Sequence, residues 1–225
     1  MRGMPQPGKG TISGKPSPGR PLSFMSQTET DGAVSVLNLT RELEIMVTDI
    51  VDRVDELAHI DPSRVLICVA STRGAGIHGT FAKIHPLRFR GGESSIQIRR
   101  GGKLRTLTMP QVTRKGLDML YVIYFLAPRF FNLPQREKLI TIFHELYHIS
   151  PDFDGDIRRF PGRNYAHGSS RKRYNTAMAG LVDGYLRIRD TALPDFLDLD
   201  MTGLRQHYRT IVGRRFTTPR IQIRE

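Results

Sequence analysis

The chain has 225 residues, a formal charge of +12 from 34 Lys and Arg against 22 Asp and Glu, and 39% hydrophobic residues. That length suits one domain with tails and is enough to bury a core. A single cysteine, Cys68, excludes an intramolecular disulfide and a cysteine-built zinc site. The longest apolar run near a spanning pattern, Met119 to Phe125, is far too short for a bilayer.

Residues 1 to about 30 are rich in Gly, Pro, Ser and Lys and offer almost nothing to bury, so they read as a flexible basic tail. No apolar segment follows Arg2, and a cytoplasmic protein with no membrane segment is expected. The main domain is expected over 34–190, with 191–225 as a C-terminal extension. From Leu37 to His59, Leu39, Leu43, Met46, Ile50, Val54 and Leu57 recur at steps of three and four, predicting an amphipathic helix closed by Asp61-Pro62. Val65 to Ala70, continuous and β-rich, predicts a buried strand containing Cys68 as a core thiol.

Gly74, Gly76 and Gly79 mark turns, but their spacing fits neither the P-loop nor the dinucleotide pattern. A second strand is expected over Thr80–Phe89. Ser94–Arg99 and Lys103–Thr108 flank Gly101-Gly102 and predict a hairpin. Met119–Phe125 predicts a further strand, broken by Pro128. The order implies an α+β fold: a small mixed sheet covered by the first helix and by the helix that follows.

That next helix carries the chemistry. Leu133-Pro134 reads as its start and Ser150-Pro151 as its stop. Leu139, Ile140, Phe143, Leu146 and Tyr147 form its apolar stripe, and beside them lies His144-Glu145-x-x-His148. Residues i and i+4 share one helical face, so both imidazoles can reach one metal ion, while Glu145 can act on a water rather than on the metal.

A catalytic zinc needs a third protein ligand. Downstream candidates are Asp152, Asp154, Asp156, His167 and Asp183. His167 is preferred because eighteen intervening residues let the chain turn back, and Gly168 leaves room beside a metal. His59, His78, His85 and His207 have no comparable spacing. The metzincin extension is absent, because Pro151 stands where that pattern has Gly and Asp154 where it has His. Zn2+ would activate water, Glu145 would shuttle its proton, and Tyr174, Tyr165, Arg158 or Arg171 could meet the oxyanion. Asp154 could orient a ligand histidine or serve only the turn at Gly155. Residues 175–190 predict another helix and 204–212 a short one; 219–224 reads as a strand or a basic tail.

The segment from His144 to Gly155, with Arg158, Asn164-Tyr-Ala-His167-Gly168 and Arg171-Lys-Arg-Tyr174, resembles the phage metallopeptidases over roughly residues 37 to 190, and more distantly the SprT-like proteases. The resemblance implies a zincin-like fold, His144, His148 and His167 as metal ligands and Glu145 as acid/base, but no established substrate; a zinc-dependent peptidase acting on a peptide or protein is the expected function. The positive charge keeps two other readings in view: a nucleic-acid-binding protein with a structural metal, or a SprT-like protease acting on DNA-bound proteins. A degenerate zincin serving as an interaction protein is the third, and the intact Glu145 argues against it.

Overall fold

The computed structural model describes residues 36–72, 74, 79–161 and 171–224, with the backbone alone at Arg171 and Lys172. Its elements in order are β1 (Val36–Asn38), α1 (Leu39–Arg53), β2 (Val65–Ser71), β3 (Ala82–Pro86), β4 (Ser95–Arg100), β5 (Lys103–Thr108), β6 (Thr113–Arg114), β7 (Leu117–Asp118), β8 (Tyr121–Ala127), α2 (Gln135–Tyr147), α3 (Arg171–Ile188), α4 (Met201–His207), β9 (Thr210–Val212) and β10 (Gln222–Arg224).

Strand β8 organises these elements. It pairs in parallel with β2 on one side and antiparallel with β3 on the other. Tyr121, Val122, Ile123, Tyr124 and Phe125 are all buried, because both faces of this sheet are covered. Val65, Ile67, Tyr121, Ile123 and Phe125 face the helices. Leu66, Cys68, Val122 and Tyr124 face the other way, under Val112 and Met119. The mixed sheet and its helical cover make the fold α+β, as the sequence implies. Burial pushes the Cys68 thiol up to about 11, consistent with a core cysteine.

Helix α1 is shorter than its periodicity suggests. Leu37 and Asn38 are drawn into β1, which pairs in parallel with β9, and the Asn38 side chain caps the helix by accepting from the Arg41 N–H at 3.2 Å. At the other end Val54 is extended and only a single short turn, Asp55–Leu57, follows. The stretch 204–212 divides for the same reason: Leu204 ends up inside α4, while β-branched Thr210-Ile211-Val212 becomes β9. The strand expected over 80–89 is confined to residues 82–86, and α3 begins at Arg171, ahead of the expected start.

The hairpin β4–β5 turns at Gly101 and Gly102, whose φ values of 59° and 80° are those of a two-residue turn that favours glycine. Strand β10 adds to β5, so 222–224 is a strand in a second, three-stranded sheet. Among the described residues no helix is long and apolar enough to cross a membrane.

Candidate metal centre

Helix α2 is placed by groups at both of its ends. At its start Pro134 accepts the Lys138 N–H at 3.0 Å. One turn in, the Lys138 side chain is fully buried, and its ammonium donates to the carbonyls of Leu197 at 2.8 Å, Leu199 at 2.7 Å and Phe196 at 3.3 Å. Leu139, Ile142, Phe143 and Leu146 fill the core side, with Phe143 against Tyr185 of α3.

The helix ends on His148, which keeps right-handed helical φ/ψ as the C-cap. Its last carbonyls would lack intrahelical donors. Arg158 supplies them: its N–H donates to the His148 carbonyl at 2.7 Å and its Nε to the Tyr147 carbonyl at 2.8 Å. The Arg158 guanidinium lies over the Tyr147 ring, 4.2 Å from its centroid, and Ile149 bridges Ile157. The intervening turn is held by Tyr121, whose hydroxyl donates to the Asp156 carbonyl at 2.8 Å and accepts the Gly155 N–H at 2.9 Å. Gly155 is required there, with φ of 91°; a Cβ would strike the Arg88 side chain.

On this frame the two imidazoles converge. His144 Nε2 and His148 Nε2 stand 3.1 Å apart, with the rings nearly perpendicular at 81°. Two imidazole nitrogens sharing one tetrahedral zinc would be about 3.3 Å apart, from Zn–N distances of about 2.05 Å. The pair therefore fits a first-row divalent cation almost without adjustment.

Glu145 is buried and points elsewhere, toward β3. Burial pushes its carboxyl up to about 8, against the opposing effect of the Ile84 N–H, which donates to it. Strand β3 is one of the two outer strands of its sheet. The Leu126 N–H bonds the Phe81 carbonyl and the Leu87 N–H bonds the Leu120 carbonyl. Alternation then turns the polar groups of residues 83 and 85 toward β8, and those of Ala82 and Ile84 outward. A cleft of about 220 Å³ runs along this edge, lined by Thr80, Ala82, Ile140, Thr141, His144 and Glu145.

Tyr174, from α3, covers the other side of the histidines. Its ring centroid is 5.1 Å from that of His144 and 5.9 Å from that of His148, and its hydroxyl reaches the His144 carbonyl at 3.4 Å. Burial holds its hydroxyl well above the usual phenol range, reinforced by Glu145 and Tyr147 and opposed by Arg158, so Tyr174 stays a proton donor. Phe160 packs on both Tyr147 and Tyr174.

His144, Glu145, His148, Tyr174 and Arg158 are thus brought to one place, although the Arg158 Nε is committed to the helix end. Asp154 does not reach a histidine in any described contact; its carboxylate accepts the Asp156 N–H at 3.0 Å, the role of a turn residue. Of the other acidic candidates, Asp156 is paired with Arg159 at 2.9 Å and Asp183 with Arg136 at 2.8 Å, while Asp152 is exposed. Among the described residues no group of three His, Cys, Asp or Glu is placed to hold a metal. His167 and Tyr165, and the side chain of Arg171, lie outside the described residues.

A family model described as "Putative phage metallopeptidase" matches residues 37–172, well over half of the chain. The chain belongs to this family. The match starts at the expected residue and ends eighteen residues short of 190, so most of α3 lies beyond it. No curated protein and no solved structure matches the chain. Membership in a metallopeptidase family implies a metal ion as cofactor and a peptide or protein as substrate.

Two contributors to this site carry no sequence signal of their own. The Ile84 N–H faces Glu145 only because of strand register. Phe160 meets Tyr174 through tertiary packing. Lys138 did leave a trace: with Ile142 and Leu146 it follows the i, i+4, i+8 spacing of a buried face.

Proposed function

We propose that this phage metallopeptidase family member hydrolyses peptide bonds with a zinc ion held by His144, His148 and His167. The observation that carries the proposal is the 3.1 Å approach of the two Nε2 atoms beside a buried carboxyl. Tyr174, which follows the segment bearing His167, lies against both histidines, and Phe160, which precedes it, packs on Tyr174. His167 is seven residues from each of these flanks, a span of at most about 25 Å, which is ample for its side chain to return to the pair.

When bound, the zinc supplies Lewis acidity toward a water and a substrate carbonyl. A cation held by the histidines would favour ionised Glu145 over the buried neutral acid, and in that form Glu145 takes a proton from the attacking water and delivers it to the leaving amine. The Ile84 N–H fixes the carboxyl for this role. Tyr174 carries a proton at neutral pH and can donate to the developing oxyanion. The outward N–H and C=O of Ala82 and the outward C=O of Ile84 can receive an extended peptide by strand addition along the cleft.

The test is metal analysis and hydrolysis of a mixed peptide library by the wild-type chain and Glu145→Gln. The reading expects about one zinc per chain in both, with cleavage by the wild type alone. Cleavage retained by Glu145→Gln, or a wild type that binds no zinc, refutes it.

A further inference from the structure

The positive charge of this chain is not spread evenly. Residues 94–117 contain six Lys and Arg and no Asp or Glu, and residues 201–224 contain six Arg and no Asp or Glu. The fold joins these two acid-free stretches, because β10 pairs with β5 through Gln222↔Thr108, Ile223↔Leu107 and Arg224↔Thr106.

Several arginines are neutralised, two of them within these stretches. Arg53 and Arg189 share Asp49, Arg114 and Arg214 share Glu44, and Arg88 pairs with Asp118. Among the described residues Arg99, Arg100, Arg205, Arg209, Arg215 and Arg224 are in no ion pair. These six arginines therefore lie on one sheet and the segment leading to it, in stretches that carry no carboxylate of their own.

The shape of that sheet narrows the partner. β10 covers only Thr106–Thr108, so beyond it the hairpin is two-stranded, and residues 99–104 at its tip are all exposed. A two-stranded ribbon of this kind fits the major groove of B-form DNA, about 12 Å wide, whereas the deep, narrow major groove of duplex RNA excludes it. Residues 94–108 contain no aromatic side chain on which an unpaired base could stack, which argues against a single-stranded ligand. The same arginine-rich segment also walls a cleft of about 400 Å³ through Arg205, Arg209 and Arg215, over an apolar floor that includes Leu39, Val69 and Ala127.

We propose that the β4–β5 ribbon, extended by β10 and the arginines of 201–224, binds duplex DNA, with the tip in a groove and the guanidinium groups on phosphates. This surface shares no residue with the histidine site and does not depend on the peptidase reading.

The experiment is fluorescence anisotropy of a labelled duplex of about 20 base pairs with the full chain, titrated between about 50 and 200 mM salt. Six phosphate contacts give a log–log slope of about −5 and a loss of roughly 10³-fold in affinity over that range. Arg99→Gln with Arg100→Gln should reduce the slope by about 2. Arg41→Gln with Arg187→Gln, which removes the same charge from exposed positions on α1 and α3, should leave the slope unchanged. Three results overturn the proposal: a shallow slope for the wild type, equal losses in the two double variants, or competition by duplex RNA or by phosphatidylserine vesicles as strong as by duplex DNA. Glutamine at two exposed tip positions leaves the hairpin register intact, and a matching thermal melt verifies it.

Discussion

Replacing Lys138 with methionine tests how α2 is held. The side chain is fully buried, and its ammonium is the donor to three carbonyls in 196–199. Burial, only partly opposed by Asp198 and Asp200, pulls its pKa from 10.5 to about 8, a penalty on the charged form of about 3 kcal/mol. Methionine removes that penalty but orphans the carbonyls, at about 1–3 kcal/mol for each buried acceptor. The net expectation at pH 7 is a loss of about 3 kcal/mol, read by urea denaturation. The sign with pH follows from the depressed value. Between about pH 8 and 10.5 the unfolded chain holds the proton that the folded chain has released, so the wild type gains stability as pH rises through this window, and that contribution is lost as pH falls through about 8. The variant lacks this term, so the gap between the two proteins should widen by about 2–3 kcal/mol from pH 7 to pH 10. Buried Tyr121, Tyr174 and Tyr185 titrate in neither protein over that range, because burial raises all three well above the usual phenol value. A loss under about 1 kcal/mol, or a gap that stays constant with pH, refutes the account of Lys138 as a charged donor.

Four further outcomes are expected. His148→Ala should lower zinc affinity by at least about 100-fold in a competition titration with a chromophoric chelator, since it removes one of two converging nitrogens. N-methylation of a peptide substrate at alternate residues should slow cleavage by about 2–10-fold per amide, and the other parity should be neutral, if the peptide lies on the outward groups of β3. Phe143→Ala should cost about 3–5 kcal/mol in denaturant melts, because the ring is fully buried against Tyr185. Cys68 should react with a disulfide reagent only as fast as the protein unfolds, because the thiol is buried and pushed up to about 11.

What was legible in the sequence was local. The stripe in α1, the β-rich runs of β2 and β8, the glycine pair of the hairpin and the proline before α2 each announce their element through period or turn chemistry. What was not legible depends on partners distant in sequence. Val36–Asn38 becomes a strand only because Thr210–Val212 lies beside it, and Thr210–Val212 leaves its helical reading for the same reason. The His pair and Glu145 were readable because helical geometry alone puts the two imidazoles on one face. The Ile84 donor to Glu145 was not, since it depends on the register of β3 against β8.

The position of α2 has a consequence for metal binding. Lys138 ties its first turns to 196–199, and Arg158 with the Ile149–Ile157 bridge ties its end. These ties at both ends hold the helix that sets the imidazoles 3.1 Å apart. Preorganised ligands lose little conformational freedom on binding, so most of the coordination energy from His144 and His148 is available as affinity. The difference in zinc affinity between the wild type and His167→Ala then measures the net worth of the proposed third ligand, whereas His148→Ala measures the worth of a nitrogen on the helix itself.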